Sequence, residues 1–170
     1  MLQVSKTTAI LYDEVDFKTA NDFCKWIKKY EDADELTLFI NSGGGYNSAS
    51  HRIIKAIQNF GGIFTTISDE LCASAAFDIF LAGDRRYAHG TTDFMIHKVV
   101  LIIPDNCIMT IAEMQRYLQK MIKETAETFK YIEKNTDLTP EILLAKTENC
   151  VEWHFDENTA LKYGVIAEVI

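Results

Sequence analysis

The chain has 170 residues, 48% of them hydrophobic and 25% charged, the profile of a single soluble globular domain with enough apolar side chains to bury a core without staples. Its 17 Lys and Arg against 25 Asp and Glu give a net charge of −8, with no basic cluster of the kind a phosphate backbone needs, so nucleic acid is a poor partner. Cys24, Cys72, Cys107 and Cys150 lie 48, 35 and 43 residues apart with no C-x-x-C pair, the start lacks a signal-peptide layout, and apolar runs such as 99–103 are too short to cross a bilayer; a reducing, cytoplasmic setting with no membrane association follows.

In chain order, 8–12 is a short β-prone run, and Phe17, Ala20, Phe23, Ile27 and Tyr30 recur at helical steps through 16–30. A strand over 36–40 ends in Asn41-Ser42-Gly43-Gly44-Gly45, after which Asn47 is placed to cap a helix carrying Ile53, Ile54, Ile57 and Phe60. Gly61-Gly62 breaks that helix and 63–67 reads as a third strand. A helix over about 74–81 follows, then short strands at Tyr87 and 94–96. This alternation predicts right-handed β-α-β units with a parallel sheet. Beyond Thr110 a long amphipathic helix carries Ile111, Met114, Leu118, Met121, Ile122, Phe129 and Ile132 to about Lys134, too long for a simple crossover and suited to packing on another chain or on the core of its own domain.

Three features carry candidate chemistry. The glycine triplet after a strand lets the backbone take positive φ and present N–H groups to an anion or an extended peptide, although a plain flexible turn has the same composition. Neither G-x-x-x-x-G-K-[ST] nor G-x-G-x-x-G occurs, and the bulky Tyr46 follows the triplet, so a carbonyl oxyanion suits the loop better than a phosphate. Ser74, in Cys72-Ala73-Ser74-Ala75-Ala76, stands at a strand-to-helix turn, where a hydroxyl meets the positive end of a helix dipole; an N-cap serine occupies the same place. Of four histidines, His51 reads as surface, His89 as turn and His154 as a packed or solvent-edge ring. His97 closes the apolar strand 94–96, which holds it in place.

The Gly-Gly loop after Ile-Asn-Ser, Ala-Ser-Ala 29 residues beyond Gly45, Met-Ile-His 23 residues further on, and the closing Ala160-Leu161-Lys162-Tyr163-Gly164-Val165-Ile166 together resemble the Clp protease proteolytic subunit, from about residue 9 to 170. The resemblance implies an α/β fold, the Clp/crotonase-like spiral of β-α-β units with a long protruding handle helix, in one peptidase domain over 1–170 with a handle region at about 98–135. It further implies Ser74 as nucleophile, His97 as general base, the backbone N–H groups of Gly45 and Ala75 as oxyanion hole, and Gly43 and Gly44 along the peptide. The third triad member falls on Glu152, counting back from Tyr163, with Asp156 as fallback, although Asp156 also reads as the N-cap of a last helix over 157–163.

No cofactor or metal is implied. The expected activity is that of an ATP-dependent-type serine endopeptidase subunit acting on peptides or unfolded proteins inside a homo-oligomeric ring, or two stacked rings. The chain departs from the family pattern at Gly43 (usually Pro), Glu70 (usually Gly), Ala75-Ala76 (usually Met-Gly), Lys98 (usually Gln) and Glu152 (usually Asp). It also begins almost at the first strand, which counts against docking of a partner ATPase and suits a divergent phage or mobile-element member. These departures motivate an alternative, an inactive ring or scaffold subunit. A crotonase-type acyl-CoA enzyme, or a serine–lysine peptidase of the signal-peptidase class, ranks lower.

Overall fold

The computed structural model describes residues 2–12 and 14–170. Strand β1 (Leu2–Gln3) lies antiparallel to β2 (Thr8–Leu11), and β2 opens a parallel run. Helix α1 (Phe17–Lys29) starts at Asp16, whose carboxylate accepts from the Thr19 backbone N–H at 2.6 Å; that bond holds the Asp16 carboxyl below its ordinary range. Next come β3 (Glu35–Ser42), α2 (Asn47–Gln58), β4 (Ile63–Ala73), α3 (Ala75–Phe80), β5 (Arg85–Ala88) and β6 (Asp93–Ile96). Helix α4 (Ile111–Asn135) is followed by α5 (Pro140–Lys146), β7 (Trp153–Phe155), α6 (Glu157–Lys162) and β8 (Glu168–Val169).

The sheet runs β1-β2-β3-β4-β5-β8, parallel from β2 onward, as the strand–helix alternation predicts. Strand β4 is the organising element. Thr65–Ser68 pair with β5, whereas Leu71–Ala73 pair with β6, which in turn pairs antiparallel with β7. Between the two stretches the register against β3 jumps, from Ile40↔Ser68 to Ser42↔Cys72, so β4 carries two extra residues, Asp69 and Glu70. Asn41 pins this bulge, accepting from the Leu71 N–H at 3.3 Å and donating to the Glu70 carboxylate at 3.0 Å. Glu70, one of the departures from the family pattern, therefore has a local role in shaping the strand that ends at Ser74.

Buried aromatic rings fill the core. Phe23, Trp26 and Phe64 meet at 5.6–6.3 Å between centroids, and Phe77, Phe80, Phe94 and Phe155 at 5.4–6.0 Å. Every residue of α3 is buried. Helix α4 is the opposite: only Phe129 and Ile132 are buried, both near its C-terminal end.

Several elements differ from the sequence reading. Strand β4 runs to Ala73 rather than stopping at Ile67, because the bulge lets the polar stretch Ser68–Glu70 stay in the strand. Asn47 is the first residue of α2 and not its cap; Tyr46 holds that position without a side-chain bond, and Phe60 lies beyond the helix end. The short β1, β7 and β8, and α5 with its Pro140 start, are too brief for periodicity to reveal.

Candidate active site

Ser74 sits where β4 turns into α3, with φ 53° and ψ −124°. An L-residue reaches that region only under strain, of about 1–3 kcal/mol, so the surroundings must over-determine it. They do. The Ser74 N–H donates to the Met95 carbonyl at 2.8 Å, which adds one more rung to the β4–β6 ladder. The Ser74 carbonyl accepts from Phe77 and Asp78 at 2.9 and 3.2 Å, which starts α3. Gly44, at φ 93°, presses on the corner so closely that a Cβ there would lie 2.7 Å from the Ala73 carbonyl oxygen and 2.9 Å from the Ala75 nitrogen. By position Ser74 is the N-cap of α3, yet its hydroxyl makes no cap bond.

The hydroxyl instead faces His97, with Ser74 Oγ 2.8 Å from His97 Nε2. His97 follows directly on β6, whose Phe94 and Ile96 are buried, so the strand fixes the base of the ring. On its other side Nδ1 lies in hydrogen-bond contact with the Lys98 carbonyl oxygen. A carbonyl can only accept, which assigns the ring proton to Nδ1 and leaves Nε2 free to accept from the serine O–H. The pair is thus set for transfer of the serine proton to the ring.

The acids lie elsewhere. Glu152 is exposed, and its carboxylate stands 3.6 Å from His154 Nε2; the other nitrogen of His154 is 2.8 Å from Asp93. Asp156 accepts from the Thr159 N–H at 2.9 Å and caps α6, as its place before 157–163 suggests. Neither carboxylate has a hydrogen bond or ion pair with His97 among the described residues. The reason is geometric: in β7 the buried Trp153 and Phe155 point inward, so Glu152 and His154 face solvent. The Lys98 carbonyl occupies the place expected for an acid.

The glycine loop is tied down by Val15, whose N–H donates to the Gly44 carbonyl and whose carbonyl accepts from the Tyr46 N–H, both at 2.8 Å. Gly43 and Gly45 line a groove of about 440 Å³ together with Ser74, His97, Val100 and Tyr117. A Cβ on Gly45 would lie 2.5 Å from the Val15 carbonyl oxygen, which ties glycine at that position to the close approach of this segment. The structure therefore brings Gly43, Gly44, Gly45, Ser74, Ala75 and His97 to one corner. Among the described residues no group of three His, Cys, Asp or Glu is arranged to hold a metal, and no helix is long and apolar enough to cross a membrane.

Asp78 went unread in the sequence although its signal was there, a lone acid in the apolar run Phe77-Asp78-Ile79-Phe80. It is 6% exposed on α3, one turn past Ser74.

The family profile described as Clp protease matches residues 2–170. ATP-dependent Clp protease proteolytic subunit 2 of Thermobifida fusca is 30% identical over 145 residues, 80% of this chain and 65% of the relative. The subunit of the same name from Pseudomonas aeruginosa is 26% identical over 140 residues, 81% of this chain and 66% of the relative. The chain thus aligns with just under two thirds of the length of these curated relatives. Among solved structures, a ClpP1 mutant from Listeria monocytogenes superposes with a TM-score of 0.84 at 24% identity, covering 97% of this chain and 91% of that one, which establishes the shared fold. A profile match running from the first strand to the last residue makes this chain a member of the Clp protease family, as the four motifs in order suggested.

Proposed function

We propose that the chain is a serine endopeptidase that cleaves peptide bonds by acyl transfer. The observation that carries this reading is the 2.8 Å contact between His97 Nε2 and the hydroxyl of a Ser74 whose strained backbone aims it away from its own helix. Ser74 Oγ attacks the carbonyl carbon as its proton passes to His97 Nε2. The resulting oxyanion is met by the Ala75 and Gly45 backbone N–H groups. Collapse breaks the C–N bond, and the Nε2 proton leaves with the amine. Water, deprotonated by the same nitrogen, then releases the acid and restores Ser74. The Nδ1–H keeps donating to the Lys98 carbonyl throughout, so that carbonyl orients the ring as an acid would, with less charge to stabilise the imidazolium.

Peptide would lie extended along the glycine loop, an arrangement that reads backbone more than side chains. We further assign α4 to contact between copies in a homo-oligomeric ring, with the handle over about 98–135. Ile111, Met114, Leu118 and Ile122 are each more than half exposed on that helix, a stripe that water alone does not favour. The free thiols of Cys24, Cys72 and Cys107 fit a cytoplasmic setting.

The placement of Glu152 beside His154 favours a second reading, a ring subunit without turnover. A fluorophosphonate separates the two. Labelling of Ser74 in the full chain, abolished by Ser74→Ala and cut by about 10²-fold or more in His97→Ala, is the expected outcome. A wild-type protein that elutes at ring size and takes no label would favour the scaffold. Labelling that survives His97→Ala would overturn the serine–histidine mechanism.

A further inference from the structure

Beside Ser74 and His97 a narrow cavity of about 20 Å³ opens between α3 and α4, walled by Phe77, Ile96 and Ile132, and Asp78 stands in its lining. Asp78 and Thr128 also line a larger hollow of about 430 Å³ on the α2 side, so they form the partition between the two. Asp78 is 6% exposed, and among the described residues its carboxylate has neither a hydrogen bond nor an ion pair. Behind the partition the buried Tyr131 hydroxyl also lacks a partner. Tyr131 borders only the α2-side hollow, whereas Asp78 borders both spaces, so its partnerless carboxylate is the group that a cation entering beside Ser74 would satisfy.

We propose that this cavity receives the side chain on the acyl side of the scissile bond and that Asp78 makes it select lysine. The inference rests on the peptidase reading above. Asp78 follows Ser74 by four residues, about 6 Å along the helix, which matches the reach of an extended lysyl side chain entering from a carbonyl held at Ser74. The cavity has room for about one water, so any side chain entering it must part the walls, and an unbranched methylene chain displaces them least. Phe77, Ile96 and Ile132 cover the stem while Asp78 meets the ammonium. An apolar occupant would leave the carboxylate unpaired, and an acidic one would repel it.

Burial pushes the Asp78 carboxyl up to about 7. Selection for lysine therefore strengthens as pH rises through about 7 and the carboxylate ionises. The other titratable groups around the partition are His51 and Lys55 from α2, Glu127 and Tyr131 from α4, Cys72 from β4, and His97. His97 acts on every substrate alike, so the ratio between two substrates cancels it.

The experiment uses the assembled full chain with two peptidyl phosphonates that differ only in lysine or norleucine at this position, and reads the rate of Ser74 labelling. We expect lysine to react at least tenfold faster at pH 8, the ratio to shrink toward pH 6, Asp78→Asn to bring it near one at every pH, and Asp78→Leu to invert it. A wild-type ratio at or below one, or one that both variants leave unchanged, overturns the proposal. So does an equal loss on both probes in Asp78→Asn, which would make Asp78 a structural or mechanistic group. A side-chain-free fluorophosphonate tells the two readings apart: if it labels Ser74 while the ratio stays flat, only the lysine selection fails; if it does not label, the peptidase reading fails and takes the selection with it.

Discussion

Helix α3 is apolar but for Asp78, whereas more than half of the residues of α4 are polar, and the two helices solve opposite problems. The six residues of α3 are all buried, and its start is held by a strand rung, a glycine and two of its own turn bonds. The 25 residues of α4 bury two side chains, and its start is held by a capping box in which Thr110 and Glu113 satisfy each other. A short helix is stable only when its surroundings impose it, whereas a long one with good caps and i,i+4 ion pairs such as Lys120–Glu124 and Lys123–Glu127 stands on its own backbone. Precision at Ser74 is therefore a property of the body, and the arm is free to present its apolar stripe outward.

Breaking the body should cost most. Phe94 is fully buried between Phe77, Phe80 and Phe155, and Phe94→Ala should lower unfolding free energy by about 3–5 kcal/mol in a denaturant titration. Gly44→Ala comes next. Its Cβ would meet backbone at 2.7 and 2.9 Å at a φ of 93°, so a loss of about 2–4 kcal/mol is expected together with slower fluorophosphonate labelling. Gly61→Ala, with nothing within 4 Å, is the control and should be neutral or stabilising by up to about 1 kcal/mol. Equal stability of the two variants would show that the close approach at Ser74 does not hold in solution.

Smaller effects belong to the arm and the surface. Thr110→Ala removes a cap and should cost about 1 kcal/mol of helix stability, read as faster amide exchange in the first turns of α4. Leu118→Glu should leave the fold within about 0.5 kcal/mol but lower the apparent mass on a sizing column, if the stripe packs on another copy. The smallest effect concerns His154, whose pKa is raised chiefly by its bond to Asp93. Its contribution is present below the unfolded histidine value and fades as pH rises through the raised folded one. Both side chains are about half exposed, so His154→Asn should flatten the pH dependence of stability by only a few tenths of a kcal/mol after solvent screening.

Much of this was legible from residues. Asp16 before an amphipathic stretch, the glycine triplet after an apolar strand, and the serine–histidine order all follow from local rules of capping, backbone freedom and strand patterning. Asp78 was legible too, as the lone acid in an apolar helix, but its meaning depends on which helix packs over it. Glu152 illustrates the limit. Counting from Tyr163 names a residue but not the way it faces: Glu152, just before β7, has its carboxylate beside His154.

The sequence by itself determined the longer helices and the central strands, the parallel α/β architecture and the family, because these depend on periodicities and motifs carried within short segments; β1, β7, β8 and α5 were too brief for that. Tertiary structure alone decided that β4 bulges at Asp69–Glu70, that Ser74 turns its hydroxyl from its helix toward His97, and that Asp78 ends up beside the same corner. Those outcomes depend on contacts between segments 23 to 30 residues apart, such as Ser74 with His97 and Asn41 with Leu71, and no local pattern encodes the packing that brings them together.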